Sequence, residues 1–229
     1  MCRYTTLLIM FGFIILFLII SESKSHCYNQ KEKLTTTYQQ NIDSSPIQLI
    51  DNFISLTDCD QLIDLAKSRY TTSTVYVSTH GSVDSVARSS SCAYFKRAEN
   101  DLIKSIETKV CQMFGINPTQ IEPLQIAKYE KTQQYKYHFD FFGNETDQIS
   151  NQRVYTIIVY LNDLEEIDGG ATHFPKLKIR TYPYKTRALC WNNLDSQGVG
   201  NPLTLHAGEP ILTDRTKYIL TIWTRQAPY

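Results

Sequence analysis

Apolar positions keep a helical rhythm in two stretches and then switch to alternation. In "LTDCDQLIDLAKSRY", Cys59, Leu62, Ile63, Leu65 and Ala66 recur at helical spacing behind the polar start Thr57-Asp58, which predicts a first helix. In "AENDLIKSIETKVCQMFGI", Leu102, Ile103, Ile106, Val110, Met113 and Phe114 share one side and Gly115 supplies a stop. Between them "TTSTVYVSTHGSVDSVARSSS" has few large apolar anchors and reads as a strand, a long mobile loop around 76–88 and another strand. From Ile121 onward the runs are short and β-like: "LQIAKYE", "YKYHFDFF", "RVYTIIVYL", "ATHFP", "KIRTYPY", "RALCWNNL", "PLTLHAG", "PILT" and "KYILTIWTR". About eight strands at this spacing predict an α+β domain with a double-stranded β-helix (jelly-roll) core and N-terminal helices packed on one sheet.

The ends of the pattern set the domain plan. An apolar run from Leu7 to Ile20, shorter than the roughly 20 residues of a comfortable span, fits a signal peptide or signal anchor over 1–25. Residues 26–45 are polar and aperiodic and read as a linker, leaving 46–229 as the folded domain. This arrangement places the domain in the secretory pathway, in the lumen or at the membrane of the endoplasmic reticulum, or outside the cell. With Cys2 in the leader, Cys27, Cys59, Cys92, Cys111 and Cys190 remain, an odd set that allows at most two disulfides. Asn144-Glu145-Thr146 is a glycosylation acceptor motif. Lys+Arg and Asp+Glu are both 23, and no basic stripe marks a nucleic-acid partner. The default assembly is a monomer.

Alternation also brings candidate chemistry together. In "QYKYHFDFFGN", His138 and Asp140 point the same way if the stretch is extended, and the aromatic residues around them read mostly as core. A His-x-Asp on a strand is ordinarily a satisfied buried pair, so its meaning depends on a third ligand. Among the five His, His26 falls in the leader or linker and His80 in the loop, while His173 and His206 lie in the β region. His206 opens a small-residue corner in "LTLHAGEPIL". Two imidazoles and one carboxylate with open positions suit a non-haem Fe(II) oxygenase, whereas zinc more often takes a tighter site. Lys217 shares a strand face with Ile219, Thr221 and Trp223. A Lys turned inward there needs an anion such as the distal carboxylate of 2-oxoglutarate, while the plainer reading leaves it in solvent beside the turn.

From about Pro46 to Arg225 the chain resembles the catalytic domain of prolyl 4-hydroxylases, the Fe(II)/2-oxoglutarate dioxygenases that hydroxylate peptidyl proline. The matching stretches include "RSSS", "LQIAKYEKTQQYKYHFDFF", "RVYTIIVYLNDLEEIDGGATHFP", "RALCWNNLDSQG", "LHAGEPIL" and "KYILTIW". The resemblance implies His138, Asp140 and His206 as iron ligands and Lys217 as the partner of the 2-oxoglutarate distal carboxylate. It further implies Tyr129 and Thr156 at the cosubstrate, Arg153 and Trp223 at the peptide, and Gly169-Gly170 as a tight turn. It implies a procollagen-proline 4-dioxygenase-like activity with ascorbate as auxiliary reductant and a proline-rich or collagen-like substrate. Lys217 stands one residue farther from His206 than the family pattern, while its spacing to Trp223 is kept. His173 reads as a surface or supporting residue, Cys190 and Trp191 as core, and the loops at 76–88 and 142–152 as a lid over the peptide. Two other readings stay open: an oxygenase for another residue or small molecule, and a catalytically silent lumenal binding domain.

Overall fold

The computed structural model describes residues 46–77, 81–84, 87–143 and 150–229. The leader, the linker, Cys27, His80 and the Asn144 motif lie outside the described residues. Pro46–Tyr229 form one compact unit. Helix α1 (Leu56–Ala66) starts from Ser55, whose hydroxyl accepts from the Asp58 N–H while the Asp58 carboxylate accepts from the Ser55 N–H. The cap is therefore two residues earlier than Thr57, with Asp58 as its reciprocal partner. Helix α2 (Asp101–Phe114) is capped by Asn100 and ends at Gly115, whose φ of 64° is the left-handed conformation a glycine adopts freely.

The strands are β1 (Ile47–Ile50), β2 (Thr71–Thr72), β3 (Thr74–Val77), β4 (Gly81–Asp84), β5 (Ser91–Phe95), β6 (Leu124–Tyr129) and β7 (Tyr135–His138). They continue as β8 (Arg153–Tyr160), β9 (Thr172–Phe174), β10 (Ile179–Thr181), β11 (Ala188–Asn192), β12 (His206–Gly208) and β13 (Lys217–Arg225). A large antiparallel sheet has the order β1-β11-β8-β13-β6-β5-β2, and a small one β10-β9-β12-β7. A separate antiparallel pair, β3-β4, occupies part of the stretch expected to be a loop.

The expected double-stranded β-helix (jelly-roll) core is corrected by this topology. Among the described residues no ladder joins the two sheets, neither closes into a barrel, and the fold is an α+β arrangement of two open antiparallel sheets with two helices. Strand count and spacing were common to both architectures; which edges pair is a long-range property that local spacing does not encode. The chain passes from β6 in the large sheet to β7 in the small one, and isolated bridges such as Lys131 to Ile211 mark the crossing.

Strand parity divides the interior. Leu124 and Ile126 of β6, Ile157 and Val159 of β8, and Leu220 and Ile222 of β13 pack with Leu62, Ala66, Ile103, Ile106 and Val110 of the helices. The intervening residues Ala127, Tyr129, Ile158, Tyr160, Ile219, Leu189 and Trp191 pack with Phe174 of the small sheet. The central strands are thus covered on both faces, which explains their near-continuous apolar runs. Cys59, Cys92, Cys111 and Cys190 are free thiols. Among the described residues no helix is long and apolar enough to cross a membrane.

Candidate active site

Two imidazoles meet where β7 ends and β12 begins. His138 and His206 are directly paired across that ladder, and their rings lie 4.2 Å apart. Asp140 follows two residues past His138, beyond the strand, and is buried. Its Oδ1 is 3.6 Å from His138 Nε2 and its Oδ2 is 3.8 Å from His206 Nε2. One donor atom from each of the three side chains falls within a cluster no wider than 4.8 Å.

The backbone sets the tautomers. His138 Nδ1 lies 2.7 Å from the Lys136 carbonyl and His206 Nδ1 lies 2.9 Å from the Thr204 carbonyl. A carbonyl only accepts, so each Nδ1 carries the proton and each Nε2 turns a lone pair toward Asp140. Burial, with His138 beside it, pushes the His206 imidazole down to about 4, so this ring is neutral at physiological pH. Burial alone would raise the Asp140 carboxyl, but His206, His138 and Arg153 outweigh it and hold the group well below the usual carboxylate range. Two lone pairs and a carboxylate facing one another repel until a cation lies among them. This nitrogen-nitrogen-oxygen set, contributed from one side, fits a first-row dication with open positions.

Lys217 lies inside, not in solvent. It pairs with Tyr129 across the β13–β6 ladder, is 2% exposed, and donates to the Gly170 carbonyl at 2.6 Å. Burial pushes its ammonium down to about 7, with Glu209 acting in the opposite sense. Among the described residues no carboxylate is in ion-pair contact with it, so a buried cation faces the cavity lacking the anion its burial calls for. The cavity is lined by His138, Asp140, His206, Lys217, Tyr129 and Trp223, among others. It brings the metal-type cluster and the cation to the walls of one space.

Thr156 and Arg153 stand behind that wall. The Thr156 hydroxyl donates to Asp140 Oδ2 at 2.7 Å and accepts from Asn193 Nδ2 at 2.8 Å. Arg153 clamps Glu122 with two hydrogen bonds of 2.7 and 2.8 Å and lies 3.9 Å above the Trp223 ring, while Arg225 takes the same Glu122 carboxylate. His173 meets the Tyr137 hydroxyl at 2.7 Å and lies beside Glu209, apart from the ligand cluster.

Tyr135 and Arg88 also line the cavity and were not foreseen as site residues. Between His206 and Gly208 the β12 strand spans two residues where β7 spans three, so β7 carries a bulge between Tyr135 and His138. The extra residue turns Tyr135 to the His138 side, where the rings stack at 3.6 Å. It also leaves Tyr137 and Phe139, expected in the core, 52% and 39% exposed. Arg88, in the "RSSS" segment, is buried and bonds Gln125 and Ser90, with its guanidinium 4.9 Å from the Tyr135 ring centroid. Ser90 and Arg88 also hydrogen-bond the Tyr129 hydroxyl. Nothing in the alternation marks either Arg88 or Tyr135; the available hint was that both fall in stretches that match the family, "RSSS" and "QYKYHFDFF".

Gly169 and Gly170 make the turn before β9 with φ of 72° and 73°. A Cβ on Gly169 would meet the Pro210 carbonyl at 2.4 Å, and one on Gly170 would meet Ile211 Cδ1 at 2.6 Å. Both positive φ and close approach therefore require glycine here.

Residues 124–225 match the 2OG-Fe(II) oxygenase superfamily model. The chain is 32% identical over 199 residues to probable prolyl 4-hydroxylase 3 of Arabidopsis thaliana, covering 78% of this chain and 68% of that protein. It is 30% identical over 190 residues to the prolyl 4-hydroxylase subunit alpha-1 of Homo sapiens, covering 80% of this chain but 35% of that subunit. Among solved structures, the viral collagen prolyl hydroxylase of Paramecium Bursaria Chlorella virus-1 in its 2OG complex superposes with a TM-score of 0.64 at 27% identity. That match covers 81% of this chain and 98% of the viral one. The chain belongs to the prolyl 4-hydroxylase family of Fe(II)- and 2-oxoglutarate-dependent dioxygenases.

Proposed function

We propose that this chain hydroxylates C4 of proline in a proline-rich, collagen-like peptide, consuming 2-oxoglutarate and O2 and releasing succinate and CO2. The observation that carries the reading is one cavity holding a His-Asp-His cluster and a buried ammonium that has no carboxylate in contact among the described residues. His138, Asp140 and His206 would hold Fe(II), and Lys217 with Tyr129 would take the distal carboxylate of 2-oxoglutarate. The bound iron and cosubstrate supply the oxygen activation and the electrons.

The residues supply position and charge. The carbonyls of Lys136 and Thr204 keep both Nδ1 protons away from the metal side. Phe174 and Trp191 pack against His206 at 5.3 and 4.8 Å between ring centroids and fix its plane. Lys217 is favoured in its charged form beside an anion, so the cosubstrate would complete an ion pair with it. Trp223 and Tyr135 give the cavity an aromatic wall, and Arg153 is held against Trp223 by Glu122 to orient the peptide side. Ascorbate serves as the reductant that keeps the metal ferrous, and the secretory pathway is the compartment, reached through a leader at 1–25 ahead of a linker and the domain at 46–229.

Mass spectrometry of a panel of poly-proline and Pro-Pro-Gly peptides, incubated with protein, Fe(II), 2-oxoglutarate and ascorbate, tests this. Gain of one oxygen on proline, absent with His206→Ala, is the expected result. Succinate without peptide modification would retain the oxygenase and move the substrate elsewhere.

A further inference from the structure

Behind the cluster runs a buried chain of hydrogen bonds whose direction is set at its far end. Trp191 Nε1 donates to Asn193 Oδ1 at 2.8 Å, Asn193 Nδ2 donates to Thr156 Oγ1 at 2.8 Å, and Thr156 Oγ1 donates to Asp140 Oδ2 at 2.7 Å. Thr156 and Asn193 are both 0% exposed and Trp191 is 2% exposed.

An indole N–H can only donate, so Asn193 must turn its carbonyl oxygen to Trp191 and its NH2 to Thr156. The Thr156 hydroxyl then already accepts from Asn193, and its single proton has one remaining acceptor, Asp140 Oδ2. Asn193 has no freedom to drift: its backbone N–H donates to the Val154 carbonyl at 2.7 Å and its carbonyl accepts from the Asn201 N–H at 2.8 Å. Thr156 is likewise fixed on the central strand, paired with Trp191 on one side and Trp223 on the other.

We propose that Trp191, Asn193 and Thr156 form a one-way positioning relay that locks the rotation of the Asp140 carboxylate, occupying Oδ2 and leaving Oδ1 as the oxygen offered to the metal. This rests on the reading of His138, Asp140 and His206 as metal ligands. Asp140 lies outside the strand, so the backbone ladder does not hold its side chain; the relay supplies the constraint the strand gives to the two histidines. Trp191 and Asn193 act through Thr156 and do not touch the metal.

The test is Co(II) titration of the full chain under exclusion of oxygen, followed by visible absorption, for wild type, Thr156→Val, Thr156→Ser, Trp191→Phe and the Trp191→Phe/Thr156→Val pair. Circular dichroism checks folding of each. Thr156→Val should weaken Co(II) binding by about 10- to 100-fold and shift the d–d bands, the range for losing a group that orients a ligand. Thr156→Ser, which restores the hydroxyl, should bind within about threefold of wild type. Trp191→Phe, which keeps an aromatic ring beside His206 and removes the indole N–H, should give a smaller loss. The pair should be no worse than Thr156→Val alone, because the indole N–H acts only through that hydroxyl and Phe retains a ring beside His206. Unchanged binding in folded Thr156→Val, equal loss in Thr156→Ser, or multiplying losses in the pair would each overturn the relay. A wild type that binds no Co(II) would instead remove the metal centre itself.

Discussion

The two faces of the large sheet are built from the same strands, yet they are held to different standards. On β13, Leu220 and Ile222 face the helices, while Lys217, Ile219 and Trp223 face the cavity side. The helix face needs apolar volume in the right rotamers, and many residue sets meet that need. The cavity face needs particular atoms, because each polar group there is placed against one partner. Neighbouring residues on one strand therefore serve stability and chemistry separately, and a substitution should report on one or the other according to its parity.

The largest contrast should come from comparing His206→Ala with Leu220→Ala. The first should abolish proline hydroxylation, beyond the roughly 100-fold expected for losing a mere orienting group, while the melting temperature changes little. The second should cost about 2–5 kcal/mol in urea unfolding and leave the KM for 2-oxoglutarate within about twofold in the folded fraction. A large KM change in Leu220→Ala would show that the faces are coupled.

Lys217→Met should raise the KM for 2-oxoglutarate by about 30-fold or more, the cost of leaving a buried charge unpaired being about 2–5 kcal/mol. The same variant should have a distinct pH signature without cosubstrate. The folded ammonium titrates at about 7 and the unfolded one near the ordinary 10.5, so between these values the unfolded state binds the extra proton. Wild-type stability then gains from rising pH across that window, and the full cost of charging Lys217 is present below about 7. Urea melts at pH 6 and pH 9.5 should show Met ahead of Lys by more at the lower pH. At the small end, Ile157→Val on the helix face should cost about 1 kcal/mol with no effect on turnover.

The same parity explains what could be read from the chain. Both helices and the alternating strands follow from local spacing, which also puts Lys217 on the face of Ile219 and Trp223 but leaves open whether it turns inward or stays in solvent. The closed jelly-roll did not follow, because the assignment of β6 and β7 to different sheets depends on contacts distant in sequence. Tyr135 was hidden by the bulge, which adds a residue and reverses the face that simple alternation gives. Arg88 was hidden in a polar segment whose burial comes from neighbours on β6 and β7. The relay from Trp191 was also invisible: "CWNN" reads as core, and only the fold brings Asn193 to Thr156.

The glycine turn beside Lys217 sets a length. Gly170 offers its carbonyl to the ammonium and its N–H to the Pro210 carbonyl, the Leu212 N–H donates to the Asp168 carbonyl, and Gly169 bridges to Ile211. The carbonyl that receives the Lys217 ammonium is thus held by crossed main chain, which yields far less than a side chain would. For a dicarboxylate seated between the His-Asp-His cluster and Lys217, the cation at that end is an anchor tied to the backbone. Lys217 cannot follow a ligand of different length without giving up its bond to the Gly170 carbonyl, which the Pro210 carbonyl in turn holds in place.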